Sequence, residues 1–287
     1  MGKTINYSSK TSTLKKETSV LVNNVNTKII IKNTDTYDEP RIFNIIIERL
    51  PEEKLTFLEF SKLSSTRSFA LPSLVDLRSK FSLPVNQGNL GSCTACALCG
   101  VMTFINKINN LSRLFLYYNE RVLDNTVAYD SGAYLSDGIK CLTQSGVCKE
   151  STWPYIISKF AVRPPTNCYT EALLHKAISF ANIRPDLISM KTSLNNGFPF
   201  VLGIKVYSSF LTVAVSRTGY VPMPNLKTDK LLGGHAIVCC GYNDQRRVWI
   251  MRNSWGTSWG DRGYFYLPYA YLNSSYASDL WTIYSAT

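Results

Sequence analysis

The chain has 287 residues, a formal net charge of +11, and 45% apolar and 12% aromatic side chains. That composition supplies a substantial core, so it excludes a disordered chain and leaves room for one large or two medium globular units. The longest apolar runs, such as the one over 198–204, are far too short to cross a bilayer, and the charge is spread, with Lys15-Lys16 and Arg246-Arg247 as its only tight basic pairs.

Residues 1–70 read as a region of their own. The opening is rich in Ser, Thr, Asn and Lys and lacks the apolar stretch of a secretion signal. Asn6 stands where a myristoylation motif needs Ser or Thr. Val20-Leu21-Val22 and Lys28-Ile29-Ile30-Ile31 suit the two arms of a small hairpin. Ile42, Phe43, Ile45, Ile46, Ile47 and Leu50 suit a helix that Pro51 ends, and Leu55, Phe57, Leu58 and Phe60 suggest a second short one.

Beyond Leu71 the chain turns on Gln87-Gly88-Asn89-Leu90-Gly91-Ser92-Cys93. Leu98, Val101, Met102 and Ile105 recur on one face, which predicts a helix opening at Cys93 with Ser92 near its cap. A thiolate at a helix N-terminus is stabilised by the aligned peptide dipoles. Gly88 and Gly91 let the backbone turn back, so the Gln87 amide and the Cys93 backbone N–H can face one oxyanion. A glycine turn before a buried cysteine would look the same on this stretch alone. Further helices are expected over 114–123 and from near Ser136 to Gly146. After Pro185 the signals turn to strands, over 199–206, 236–241, 247–253 and 263–267, so the fold class is α+β.

A nucleophilic cysteine needs a base, and there are two histidines. His175 sits in a pattern that reads as the solvated face of a helix. His235 opens an apolar, β-branched strand behind Gly233-Gly234, where glycine leaves room for a substrate to approach. Asn253 ends the next strand and can hold an imidazole's tautomer and ring plane. Trp255 and Trp259 can shield that hydrogen bond from water.

These pieces, in this order, resemble the papain (cathepsin) family of cysteine proteases. The likeness rests on Gln-Gly-x-x-Gly-Ser-Cys at 87–93, Gly-His-Ala at 234–236 and Asn-Ser-Trp-Gly-x-x-Trp-Gly-x-x-Gly-Tyr at 253–264. The Cys93-to-His235 separation falls within the roughly 130–150 residues typical of that family. Leu71-Pro72-Ser73-Leu74-Val75-Asp76 is similar to the start of a mature enzyme, and Gly146-Val147 with Trp153-Pro154-Tyr155 to a later segment. The resemblance implies a catalytic domain over 71–287, with a helical and a β-rich part flanking a cleft. It also implies cysteine endopeptidase activity through Cys93, His235, Asn253 and Gln87. Ala133, Tyr134 and Ile283 would line the pocket for the second side chain before the cut, and Gly234 and Trp255 would border the substrate. An apolar residue is then expected in that pocket. No metal or cofactor enters, and the partners are a protein or peptide substrate and residues 1–70 as a propeptide-like inhibitor.

The departures are as informative. Residues 1–70 do not match the usual propeptide pattern, so a brace or a partner-binding arm is the alternative for that region. Thr94 replaces the usual Trp and is expected to alter packing only. Ser131-Gly132-Ala133-Tyr134 replaces the glycine pair of the groove wall. Removing Cys93 from the eight cysteines leaves seven, and Leu90 stands where relatives carry a disulfide partner, which argues for a reducing compartment such as cytoplasm or virion. Cys96 and Cys99 follow at three-residue steps, which helical packing explains better than zinc. A catalytically silent or transamidating member with the same fold is the second reading. A nucleic-acid-binding module is disfavoured, because no motif or dense basic stripe supports one.

Overall fold

The computed structural model describes strands Leu21–Asn23 (β1) and Asn26–Lys28 (β2), and residues 70–287 apart from Asn109, Asn273 and Ser274. β1 and β2 pair antiparallel, with Leu21 opposite Lys28; of the expected second arm over 28–31, only Lys28 is among the described residues. The helices expected between Ile42 and Phe60 lie outside the described residues.

Two packed parts make up the rest. The helical part holds α1 (Cys93–Asn106), α2 (Arg113–Leu123), α3 (Leu135–Gln144) and the short α4 (Thr166–Ala172). The second part is one antiparallel sheet in the order β4-β9-β5-β6-β7-β8, with β3 (Leu74–Asp76) paired onto β6. Its other strands are β4 (Ala177–Asn182), β5 (Phe200–Tyr207), β6 (Leu231–Asn243), β7 (Val248–Arg252), β8 (Tyr264–Pro268) and β9 (Ala277–Ala286). Helices α5 (Leu187–Asn195) and α6 (Val213–Thr218) fill connections. The α+β expectation holds.

α1 is buried from Cys93 to Met102. Ala95, Ala97 and Gly100 keep its girth small, so it can lie close against β6 and β9. Period-2 alternation then divides the sheet between two apolar clusters. Val201, Ala236, Val238, Trp281 and Ile283 join α1–α3, while Leu202, Ile204, Ile237 and Cys239 join Trp249, Trp259, Phe210 and Phe265 behind the sheet. A cap ties α2 down, with Ser112 Oγ accepting from Phe115 N at 3.1 Å and donating to Trp153 O at 2.6 Å.

One expectation fails. The segment carrying His175 is not a solvated helix face. The helix ends at Ala172, and tight turns from Glu171 O to Leu174 N (3.0 Å) and Ala172 O to His175 N (2.9 Å) lead into β4. The turns reverse the faces, leaving Leu174 and Ile178 exposed and His175 buried. The polarity pattern misled because a chain leaving a helix no longer follows a period of 3.6 residues.

Candidate active site

Four segments converge where α1 meets β6. Cys93 is the first residue of α1 and has no solvent exposure. His235 lies on β6 opposite Ile204 of β5, and Asn253 directly follows β7. Gln87 lies on the approach to α1. Its backbone N–H donates to Ser254 O at 2.8 Å and the Gly256 N–H to Val85 O at 2.9 Å, while Asn86 bridges Trp255. This short clamp fastens the Gln87 segment to the Asn253 turn.

The imidazole's orientation is fixed by elimination. Ser254 N–H donates to Asn253 Oδ1 at 2.8 Å, which identifies that atom as the carbonyl oxygen. His235 Nε2 lies 2.8 Å from the same oxygen and must be the donor. Nδ1 is therefore the ring atom left to exchange a proton with another group. Trp255 lies almost parallel to the ring, 4.9 Å between centroids and 25° between planes, and covers the hydrogen bond. Trp259 meets Trp255 edge-on at 4.8 Å and stacks on Phe210 at 5.8 Å.

Gln87 is held by three further contacts. Its Nε2 donates to Leu90 O at 2.9 Å, its Oε1 accepts from Ser254 Oγ at 2.5 Å, and its carbonyl accepts from Tyr155 OH at 2.9 Å. One Nε2 hydrogen remains for a further acceptor. Gly88 makes the turn possible with φ +60, where a side chain would also stand 2.9 Å from Ile157 Cδ1. Gly91 lacks that conformation and serves through its N–H, which donates to Asp130 Oδ1 at 2.9 Å.

Burial pushes the Cys93 thiol up to about 12, and the Ala236 backbone amide at its sulfur opposes that shift. The helix N-terminus alone therefore leaves Cys93 a thiol, contrary to the sequence argument. Ala236 follows His235, so the sulfur lies against the histidine's own strand. Thr94 does more than pack. Its hydroxyl donates to Glu120 Oε2 at 2.7 Å, and burial raises that carboxyl to about 8. Neither this pair nor the roles of Ser254 and Tyr155 were foreseen, although a glutamate among the apolar residues of α2 is a visible signal.

Ala133 and Ile283 are buried in the same apolar cluster as Ala236, and Tyr134, half-buried, precedes α3. Gly234 is buried beside His235. Trp255 is buried and stacked on the His235 imidazole. All eight cysteines are buried and unpaired. Among the described residues no cluster of His, Cys, Asp or Glu is arranged for a metal, and no helix is long and apolar enough to cross a membrane.

Residues 71–278 match the family model for papain family cysteine proteases. The chain belongs to that family. It is 38% identical to a peptidase C1-like protein of Acanthamoeba polyphaga mimivirus, over 82% of each chain. Cysteine proteinase 3 of Entamoeba histolytica is 26% identical over 69% of this chain, which spans 63% of that protein. Xylellain, a cysteine protease from Xylella fastidiosa, superposes with a TM-score of 0.77 at 36% identity, covering 85% of this chain and 96% of xylellain. A digestive procathepsin L 3 of Tenebrio molitor larval midgut, at 20% identity and TM-score 0.60, shares the fold. The chain is a cysteine peptidase acting on protein or peptide substrates.

Proposed function

We propose that this peptidase cleaves internal peptide bonds with Cys93 as nucleophile, His235 as acid and base, Asn253 as its orienting partner, and Gln87 with the Cys93 N–H as the oxyanion hole. The observation that carries this reading is the 2.8 Å His235 Nε2–Asn253 Oδ1 hydrogen bond under Trp255. It leaves Nδ1 for the thiol. The Cys93 proton passes to Nδ1, and the imidazolium supplies the positive charge that a buried thiolate needs. The thiolate attacks the scissile carbonyl carbon, and the oxyanion accepts from the spare Gln87 Nε2 hydrogen and the Cys93 N–H. The C–N bond breaks as His235 returns the proton to the leaving amine. Water, deprotonated by His235, then hydrolyses the thioester and frees the acid and the thiol.

Residues 1–70 are proposed as a leader that lies in or beside the groove before a catalytic domain at 71–287. Position and apolar content support this. The pocket beside Ala133, Tyr134 and Ile283 is proposed to take an apolar side chain.

Hydrolysis of a short peptide with Leu at that position, under reducing conditions, tests these assignments. Comparison covers the full chain, a chain from Leu71, and Cys93→Ala. Activity of the shortened chain that vanishes in Cys93→Ala and is weak in the full chain is the expected result. A folded shortened chain no faster than the full one removes the leader role. Activity surviving Cys93→Ala removes the nucleophile.

A further inference from the structure

Behind α1, away from the Cys93 thiol, lies a cavity of about 50 Å³. One water needs about 10–15 Å³ of such space, so there is room for an ion of chloride or bromide size with a water or two. Cys96, Cys99, Gly100 and Thr103 of α1 form one wall, and Ser82 and Arg252 contribute another. Asn110 and Glu150, which also line it, border a surface depression with Lys149 and Ser151 as well.

The charges around this cavity do not cancel. Arg113, at its margin, is paired with Glu150 at 3.1 Å and lies over the Tyr155 ring. Arg252 is 3% exposed and pairs with no carboxylate among the described residues. Its Nη2 donates to Leu83 O at 2.9 Å and Ser82 O at 3.3 Å, and its Nε makes no hydrogen bond. Its other neighbours are neutral: the Tyr264 phenol within hydrogen-bonding reach, the Cys96 and Cys240 thiols, and the Phe81 ring, whose centroid lies 5.6 Å from the guanidinium carbon. A guanidinium stays protonated, so a full positive charge is buried there with an N–H unspent. Burial keeps Cys96 and Cys99 as thiols, which can donate but cannot neutralise the cation. A Cβ on Gly100 would stand 3.3 Å from Arg252 Nη1, so the guanidinium faces α1 with little between.

We propose that this cavity is a binding site for a small monovalent inorganic anion, held by Arg252 with the Ser82 and Thr103 hydroxyls and the two thiols as supporting donors. Arg252 directly precedes Asn253, and Gly100 lies on the helix that Cys93 opens. The ion therefore joins the strand of the orienting residue to the helix of the nucleophile.

The test uses the full chain, exchanged into sodium gluconate and titrated with sodium bromide at constant ionic strength. A saturable rise in Tm of about 3–6 °C at ten times the bromide Kd is expected for a domain of this size. A crystal grown in bromide is expected to give an anomalous peak in the cavity beside Arg252. Thr103→Glu places a carboxylate in the same space and is expected to abolish both responses. A Tm indifferent to bromide, an empty or water-filled cavity, or a rise in Tm with the only anomalous peaks elsewhere overturns the proposal. If Thr103→Glu does not fold, the anomalous map of the unaltered chain still decides.

Discussion

Replacing Glu120 by glutamine is expected to change how the stability of this peptidase depends on pH. Glu120 is wholly buried, accepts from Thr94 Oγ1 at 2.7 Å through Oε2, and leaves Oε1 without a partner. Burial raises its carboxyl from 4.5 to about 8, with Thr94 and Arg121 opposing. Between those values the unfolded chain has released the proton and the folded chain still holds it. The folded state then binds more protons, so raising the pH favours unfolding, starting near pH 4.5 and ending near pH 8. At 1.36 kcal/mol per pKa unit, that interval sets a ceiling of about 5 kcal/mol on the loss. Glutamine copies the protonated acid in shape and keeps an acceptor for Thr94, but has no proton to lose. Urea unfolding of both proteins at pH 5.0 and 8.5 measures the effect. The variant is expected to match the parent at pH 5.0 and exceed it at pH 8.5. Parallel stability curves over that range would refute the assignment of a proton to Glu120.

Other expectations follow from the same geometry. Gln87→Ala removes one proposed oxyanion donor and is expected to lower kcat by about 10²–10³-fold with KM little changed, as steady-state peptide hydrolysis would show. In His235→Ala the Cys93 thiol loses its proposed counter-charge, so its alkylation by iodoacetamide should be slow at pH 7 and climb towards its titration at about 12; the parent should react readily well below neutrality, and equal rates at pH 6 would deny the ion pair. Trp259→Ala empties a site packed against Phe210, Phe265 and Trp255 and is expected to cost about 3–5 kcal/mol in chemical unfolding. Gly263→Ala would place a Cβ 2.5 Å from Pro84 Cβ at φ +86, and a fall in Tm of several degrees is expected.

The catalytic candidates were legible because each sits in a short motif whose backbone needs are local. A glycine turn leads to the start of α1, a glycine pair to His235, and a strand end to Asn253. The sheet was legible only in its middle. β9 has no expectation in the sequence reading, and Ala177 and Ile178 at the start of β4 fall in the pattern that reads as helix, because these strands are defined by pairing with one another, Phe180 opposite Ile283, across about 100 residues of chain. The Thr94–Glu120 hydrogen bond was out of reach for the same reason. Thr94 was read as a packing change because its partner lies on the next helix, and nothing near Thr94 in sequence announces it. The Gln87–Ser254 contacts join residues 167 positions apart, so the motif suggested both residues while the fold alone makes them neighbours.

The backbone clamp between 85–87 and 254–256 carries a consequence for local opening. Gln87 N–H and Gly256 N–H are donors in the same short ladder, one on each strand. Neither can exchange with solvent deuterium unless that ladder parts, so the two amides should share one protection factor and one opening rate. The proposed oxyanion donor and the partner of the imidazole would then be lost and regained in the same event. This chain would pass between an armed and a disarmed state without populating a half-assembled one.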